Sequence, residues 1–325
     1  LDELHVFSAT AASALTVRDV GVTVGPVSAR KRILEGISFT AFAGELVALI
    51  GPSGSGKTTL LNAISGLRPP DDGEVLLDGK PFHPMLAVSR HMVGEVPQED
   101  IVHPSLTVNE SLWYSAQLRL AADLGADELQ AEVDRVLDEL DIQMIRDSRI
   151  GDAEQRGISG GQRKRVNVGQ ELLSRSTHIL FLDEPTSGLD PHGSREIVKL
   201  TRSLADGGRI VFLVTHDLSP QVVEMVDQAL VLTRGGKLAF FGPPDEACRH
   251  FGVERLDQLF APVQDGDADE LAASYRGSRH HLRYVATRER VVGVDTDELP
   301  PSGTGGGGRA SEAGWLRQLG FLARR

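Results

Sequence analysis

A chain of 325 residues, 40% apolar and 25% charged, has the balance of an ordinary globular protein and room for one large domain or two smaller ones. The formal net charge of −12 speaks against a basic nucleic-acid-binding surface, so no nucleic-acid partner is expected. One cysteine, Cys248, excludes an internal disulfide framework and a cysteine-rich metal site and fits a reducing cytosol.

No run approaches the roughly 18 apolar residues of a spanning helix, and no secretory signal opens the chain. It starts at Leu1 rather than Met, so a soluble fragment of something longer is expected. Residues 1–14 lack periodicity and are expected to form a leader or linker. From Leu15 to Val24 (LTVRDVGVTV) apolar and polar residues alternate, the pattern of a half-buried strand, and Gly25-Pro26 breaks it. Residues 33–42 alternate again, and Gly44 turns the chain into the apolar run 46–50 (LVALI).

That run delivers Gly51, Pro52, Ser53, Gly54, Ser55, Gly56, Lys57, Thr58 and Thr59, followed by the helix-like LLNAI. Strand, glycine-rich turn and helix start make this GxxxxGK[ST] stretch a phosphate-binding loop. Its glycines let backbone N–H groups turn inward around an anion, and the helix adds its positive end. Lys57 is expected on the β- and γ-phosphates and Thr58 on Mg²⁺. A nucleoside triphosphate is the ligand this predicts.

Residues 69–73 form a turn, and 74–79 begin a hairpin around Asp78-Gly79. A short strand over 91–97 ends at Pro97, directly before Gln98. Thr107 and Glu110 make a capping box for a helix over 111–120. Residues 128–140 place Leu129, Val133, Val136, Leu137 and Leu140 on one helical face. Residues 100–175 are thus expected to be a helical insertion in an α/β chain. A helix begins at Ile158-Ser-Gly-Gly-Gln162 and runs to Leu173. The strand 178–182 then ends in Asp183-Glu184, a helix covers 195–205, and the continuous apolar strand 210–214 delivers His216. A last strand pair is expected near 229–232 and 237–241. Residues 262–325 are expected to be a linker and amphipathic connector: the composition turns acidic over 264–270, with a helix over 271–290, a Gly-rich stretch over 300–308, and a basic amphipathic end over 315–325 suited to a membrane surface or partner.

A carboxylate at a strand end can hold Mg²⁺, and the next can polarise an attacking water. Alone, Asp183-Glu184 is a weak signal; with the phosphate loop upstream it gains weight. Gln98 offers a neutral oxygen to metal or water, and His216 a hydrogen bond to the γ-phosphate. Ser159, Gly160, Gly161 and Gln162 at a helix start form a second anion site, or else a plain helix cap. One triphosphate has no use for two distant sites of one subunit, so a dimer that shares them is the economical arrangement.

The segment 158–162 resembles the signature of the ATP-binding cassette (ABC) ATPases. The order of phosphate loop, Gln98, signature, Asp183-Glu184, Ser187-Gly-Leu-Asp190 and His216 is similar to that family's full set, over residues 15–260. The resemblance implies an α/β phosphate-loop NTPase fold with a central, mostly parallel sheet, an antiparallel β subdomain and a helical subdomain, ending near 261. It implies two ATP molecules sandwiched in a head-to-tail dimer, most simply a homodimer. Thr58, Gln98 and Asp183 then serve Mg²⁺, Glu184 is the general base, and His216 and Gln98 complete the catalytic set. Ser159, Gly160, Gly161 and Gln162 act in trans, and Asp190 lies at the seam. Val24 occupies the place of the usual adenine-stacking aromatic, so modest nucleotide affinity is expected.

Residues 96–103 (VPQEDIVH), 106–110 (LTVNE), 161–166 (GQRKRV) and 171–173 (ELL) resemble the G-type branch of pigment, sterol and multidrug half-transporters. In that branch a membrane domain follows the ATPase on the same chain. This implies an exporter's ATPase at the cytoplasmic face of the cell membrane. The alternative is a soluble ABC ATPase acting on nucleic acid or ribosomes, which calls for a second cassette, a long coiled coil or a basic patch.

Overall fold

The computed structural model describes residues 13–120, 124–151 and 157–292. The alternating stretch after Ser13 forms β1 (Ala14–Val24), which pairs antiparallel with β2 (Lys31–Phe42) on one side. Its register slips between Val17 and Val20, with Asp19 at φ 48°. That bulge keeps both valines on the buried face although three positions separate them.

Two sheets divide the strands. The first is antiparallel, in the order β2-β1-β4-β5, with β4 (Asp72–Leu77) and β5 (Lys80–Pro81) joined by Asp78-Gly79. Both turn residues have positive φ, the geometry that an Asp-Gly hairpin turn supplies. β4 takes in the last two residues of the expected turn, with Gly73 at φ 78° packed against the backbone of Arg18 and Asp19.

The second sheet runs β10-β9-β3-β8-β7-β6. It comprises β3 (Leu46–Ile50), β6 (Val93–Val96), β7 (Ile179–Asp183), β8 (Ile210–Val214), β9 (Gln228–Leu232) and β10 (Leu238–Gly242). Its neighbours pair parallel except β9 with β10. Every residue of β3 and β8 is buried, which is why both read as unbroken apolar runs. The expected mostly parallel sheet, antiparallel β subdomain and helical subdomain are all present.

Helix α1 (Lys57–Ser65) follows β3. Between β6 and β7 lie α2 (Val108–Arg119), α3 (Ala126–Glu139) and α4 (Gly160–Leu172). The Thr107–Glu110 capping box opens α2 as expected, and the predicted face of α3 is the buried one. A Cβ on Gly169 of α4 would stand 2.9 Å from Leu140, 3.1 Å from Val136 and 3.2 Å from Leu112. Glycine there lets the three helices approach. After β7 comes α5 (Pro191–Asp206), which starts four residues earlier than its apolar pattern because Asp190 caps it and Pro191 fits its first turn.

Beyond β10 the chain stays on the sheet, through α6 (Pro244–Phe251) and α7 (Ala268–Arg276). Tyr275 is fully buried, and its hydroxyl donates to the Phe241 carbonyl at 2.7 Å. Arg288 donates to Thr40 O at 2.8 Å, forms an ion pair with Glu45, and lies over the Phe42 ring. The compact unit therefore continues past 261, to Val292. The acidic run that reads as a linker is a helix start: Asp267 accepts from Asp269 N and Glu270 N. The Gly-rich stretch over 300–308, the amphipathic end over 315–325 and most of the leader lie outside the described residues.

Candidate active site

The phosphate loop is shaped by close approaches. Gly54 and Gly56 take φ 76° and 93°, and a Cβ on Gly51 would stand 2.7 Å from Leu232 O. Gly56 precedes α1 without a side-chain cap, so the first-turn N–H groups of that helix are left to the loop. Lys57 is buried, and its Nζ donates to Gly51 O at 2.9 Å and Pro52 O at 3.2 Å. Burial pushes its pKa down, and the charges of Glu184 and Asp183 oppose that. Ser55 Oγ is buried and has no hydrogen-bond partner among the described residues. Thr58 faces outward, and Thr59 is half-buried.

The parallel order β3-β8-β7-β6 sets four carboxyl ends side by side. Register makes this concrete: Leu49 is opposite Val214, Asp183 opposite Val214, and Val96 opposite Leu182. Each end then releases one part of the site: the phosphate loop from β3, His216 from β8, Asp183 and Glu184 from β7, Gln98 from β6. Ligands of open α/β sheets bind along such an edge. Thr58 Oγ1 donates to Asp183 Oδ2 at 2.7 Å. Gln98 Nε2 donates to Glu184 Oε2 at 3.1 Å, and His216 Nε2 lies 3.0 Å from Glu184 Oε1. Burial raises the pKa of Asp183, opposed by its bond from Thr58. Glu184 itself has φ 47°, a bend that turns the chain off β7, while its N–H donates to Val214 O at 3.2 Å.

The signature lies apart from this cluster. Ser159 Oγ accepts from Gln162 N at 3.3 Å, and Gln162 Oε1 accepts from Ser159 N at 2.9 Å, a complete capping box. Among the described residues neither side chain hydrogen-bonds the phosphate loop, Asp183, Glu184 or His216. A Cβ on Gly160 would touch Leu189 at 3.0 Å, whereas one on Gly161 would meet nothing within 4 Å. Packing within this chain does not require glycine at 161. Asp190 Oδ1 accepts from Gly193 N at 2.7 Å, which holds its pKa down.

A protein-family profile described as "ABC transporter" matches residues 34–187. The ABC transporter ATP-binding/permease protein Rv1747 of Mycobacterium tuberculosis is 43% identical over 82% of this chain and 29% of its own length. ABC transporter G family member 14 of Arabidopsis thaliana is 42% identical over 69% of this chain and 34% of its own. The chain carries an ATPase domain of the ABC transporter family. It spans about a third or less of the length of these curated relatives.

Solved structures agree on the ABC ATPase fold. The cbiO1 protein from Clostridium perfringens, part of the ABC transporter complex cbiONQ, is 28% identical, covers 72% of this chain and 90% of itself, and superposes with a TM-score of 0.61. A dimeric ATP-binding cassette in a post-hydrolysis state with ADP and Pi is 25% identical, covers 70% of this chain and 98% of itself, and gives a TM-score of 0.60. ABC ATPase domains bind ATP and dimerise, and the cradle of Gly51, Gly54 and Gly56 with the orphaned Ser55 hydroxyl fits the phosphates.

Motif reasoning overlooked several residues around this ABC site. Phe260 lies under the His216 ring, with centroids 6.4 Å apart at 29°. Ser194 Oγ donates to Asp217 Oδ2 at 3.0 Å and joins α5 to the loop after β8. Lys164 and Asn167 on α4 hold the loop that carries Gln98. The only signal for the last pair is their spacing of one helical turn in GQRKRVN. Val24 closes β1 opposite Lys31, half-buried against the core.

Proposed function

We propose that this ABC ATPase domain powers an exporter half-transporter as a homodimer, with ATP shared between the phosphate loop of one copy and the signature of the other. The observation that carries this is the chain of contacts from Gln98 through Glu184 to His216 at one sheet edge, with the signature standing apart. In this proposal Glu184 takes a proton from the attacking water, and Gln98 and His216 orient that water and the γ-phosphate. Lys57 and the loop amides hold the phosphates; Ser159, Gly160, Gly161 and Gln162 close over them in trans, with Asp190 at the seam. The open space at Gly161 suits such an approach.

Thr58, Asp183 and Gln98 supply hard oxygen donors, the class that Mg²⁺ takes. Among the described residues no group of three or more His, Cys, Asp and Glu could hold a metal. A cation here thus draws most of its ligands from phosphates and water, and it would neutralise phosphate charge. Two relatives' names, an ATP-binding/permease protein and a G family transporter, support a membrane domain on the same full-length chain. No helix among the described residues is long and apolar enough to cross a membrane. A groove of about 790 Å³ starts at Thr58 and Asp183, and Leu67, Val88, Ile101 and Leu118 stand exposed along it, an apolar edge suited to covering by that domain at the cytoplasmic face.

The test is the rate of phosphate release as a function of protein concentration with saturating ATP and Mg²⁺. A shared site gives activity that rises faster than linearly and then becomes proportional as the dimer forms. Strict proportionality together with a monomer by sedimentation at every concentration overturns the shared site.

A further inference from the structure

The loop that follows Gln98 is fastened to the signature helix at two points. Lys164, 5% exposed, donates from Nζ to the Gln98 carbonyl at 2.7 Å and pairs with Asp100 Oδ1 at 2.9 Å. Asn167, 1% exposed and one turn further along α4, donates to Asp100 Oδ1 at 2.8 Å and accepts from Ile101 N at 3.2 Å. Arg163 adds a looser contact to Asp100 Oδ2 at 3.8 Å. The cation and the amide thus satisfy one backbone carbonyl, one backbone N–H and one carboxylate within a four-residue stretch. Separating the loop from α4 would leave the buried Lys164 ammonium and Asn167 amide without these partners, which is costly. The loop and α4 therefore move as one body.

Both ends of that body reach chemistry. The amino end of α4 is the signature, Ser159 to Gln162, and the far side of the loop is the Gln98 amide, 3.1 Å from Glu184. We propose that Lys164 and Asn167 are positioning residues that couple the two sites of the dimer: closure of a signature on the partner's nucleotide shifts α4 and thereby sets Gln98 against Glu184 in its own site. This rests on the shared-site proposal above. Without the clamp, nucleotide still binds its loop, but Gln98 no longer responds to the other site.

The experiment uses the whole chain and three variants, Lys164→Met, Lys164→Arg and Asp100→Asn, with ATP turnover and the equilibrium binding of a fluorescent ATP analogue as readouts. Lys164→Met is expected to lower kcat by about tenfold or more, the scale of a misplaced catalytic group, with analogue affinity unchanged and the Hill coefficient for ATP reduced to one. Lys164→Arg, which keeps donors for Gln98 O and Asp100, is expected to restore most of kcat. A purely packing role would lower the melting temperature without splitting kcat from binding, and arginine would not rescue it.

Unchanged kcat in a folded Lys164→Met protein overturns the clamp, as does failure of arginine to do better than methionine. Should Lys164→Met lack a cooperative melt, Asp100→Asn decides: it keeps an acceptor and loses the ion pair, so reduced kcat at unchanged affinity supports the clamp and wild-type kcat overturns it. A wild-type Hill coefficient of one at every protein concentration is a separate result. It removes the shared site and the coupling between sites, while the kcat comparison still decides whether Lys164 positions Gln98.

Discussion

Nε2 of His216 lies 3.0 Å from Oε1 of Glu184, although 32 residues separate them in the chain. The parallel pairing of β7 with β8 produces this contact, since Asp183 is opposite Val214 and the next residues of both strands leave the sheet together. The remaining Glu184 oxygen is held by Gln98, so the carboxylate is gripped on both sides.

Glu184→Gln is nearly isosteric and removes only the proposed base. Turnover is expected to fall by about 10²–10⁴-fold, the usual contribution of general-base catalysis, with ATP retained on gel filtration. Normal turnover in this variant would take Glu184 out of that role.

The hard-oxygen donor set makes a metal prediction. Chelation with EDTA is expected to abolish phosphate release and readdition of Mg²⁺ to restore it. Asp183→Asn is expected to raise the Mg²⁺ concentration for half-maximal rate more than the KM for ATP. Equal shifts in both would place Asp183 outside the metal's reach.

Asp190 caps α5 through Gly193 N, so its two candidate roles can be separated. Asp190→Ala is expected to lower Tm by about 2–4 °C through loss of the cap. Asp190→Asn keeps the cap and the melting temperature. Lower activity in the asparagine variant alone points to the seam; unchanged activity leaves Asp190 a cap.

Arg288 and Glu45 are both largely buried and share their ion pair with Thr40 O, 248 residues from Arg288 in the chain. Arg288→Ala removes the cation from Glu45, leaving its carboxylate to Phe42 N and the Gln228 amide, and is expected to destabilise by about 3 kcal/mol, read from urea unfolding. Wild-type stability would mean that the Arg288–Glu45 pair adds nothing to the domain.

A pH dependence follows from the imidazoles near β10. Burial lowers the pKa of His250, His280 and His281, with His280 also near Glu246 and the charges of Arg249, Arg279 and Arg283. Above the unfolded value of about 6.5 both states are neutral and the contribution to stability is complete. Below it the unfolded chain binds more protons, so stability falls as pH drops through the depressed folded values. His250→Phe, set among Phe240, Phe251 and Tyr275, is expected to flatten the Tm profile between pH 7 and 5. A slope identical to wild type would assign the acid loss to other groups.

Much of the chemistry is written in short stretches. The phosphate loop, the Thr107–Glu110 and Ser159–Gln162 capping boxes and the Asp78-Gly79 turn each depend on contacts within a few residues, so residue type and spacing define their geometry. The burial of β3 and β8 is equally plain in their apolar runs. The acidic run 264–270 misled because its composition resembles a linker, while Asp267 uses it to start a helix against β10.

Sequence alone thus determined the parts: a nucleotide loop, a carboxylate pair, a histidine, a capped signature and the ABC family they belong to. Only the tertiary structure decided their meeting. Strand order put Gln98, Glu184 and His216 within hydrogen-bond reach, carried Lys164 to the Gln98 carbonyl across 66 positions, and brought Arg288 back to Glu45 across 243. Local chemistry fixes a turn or a cap wherever it lies, but a contact between distant residues exists only once the buried strands have chosen their neighbours.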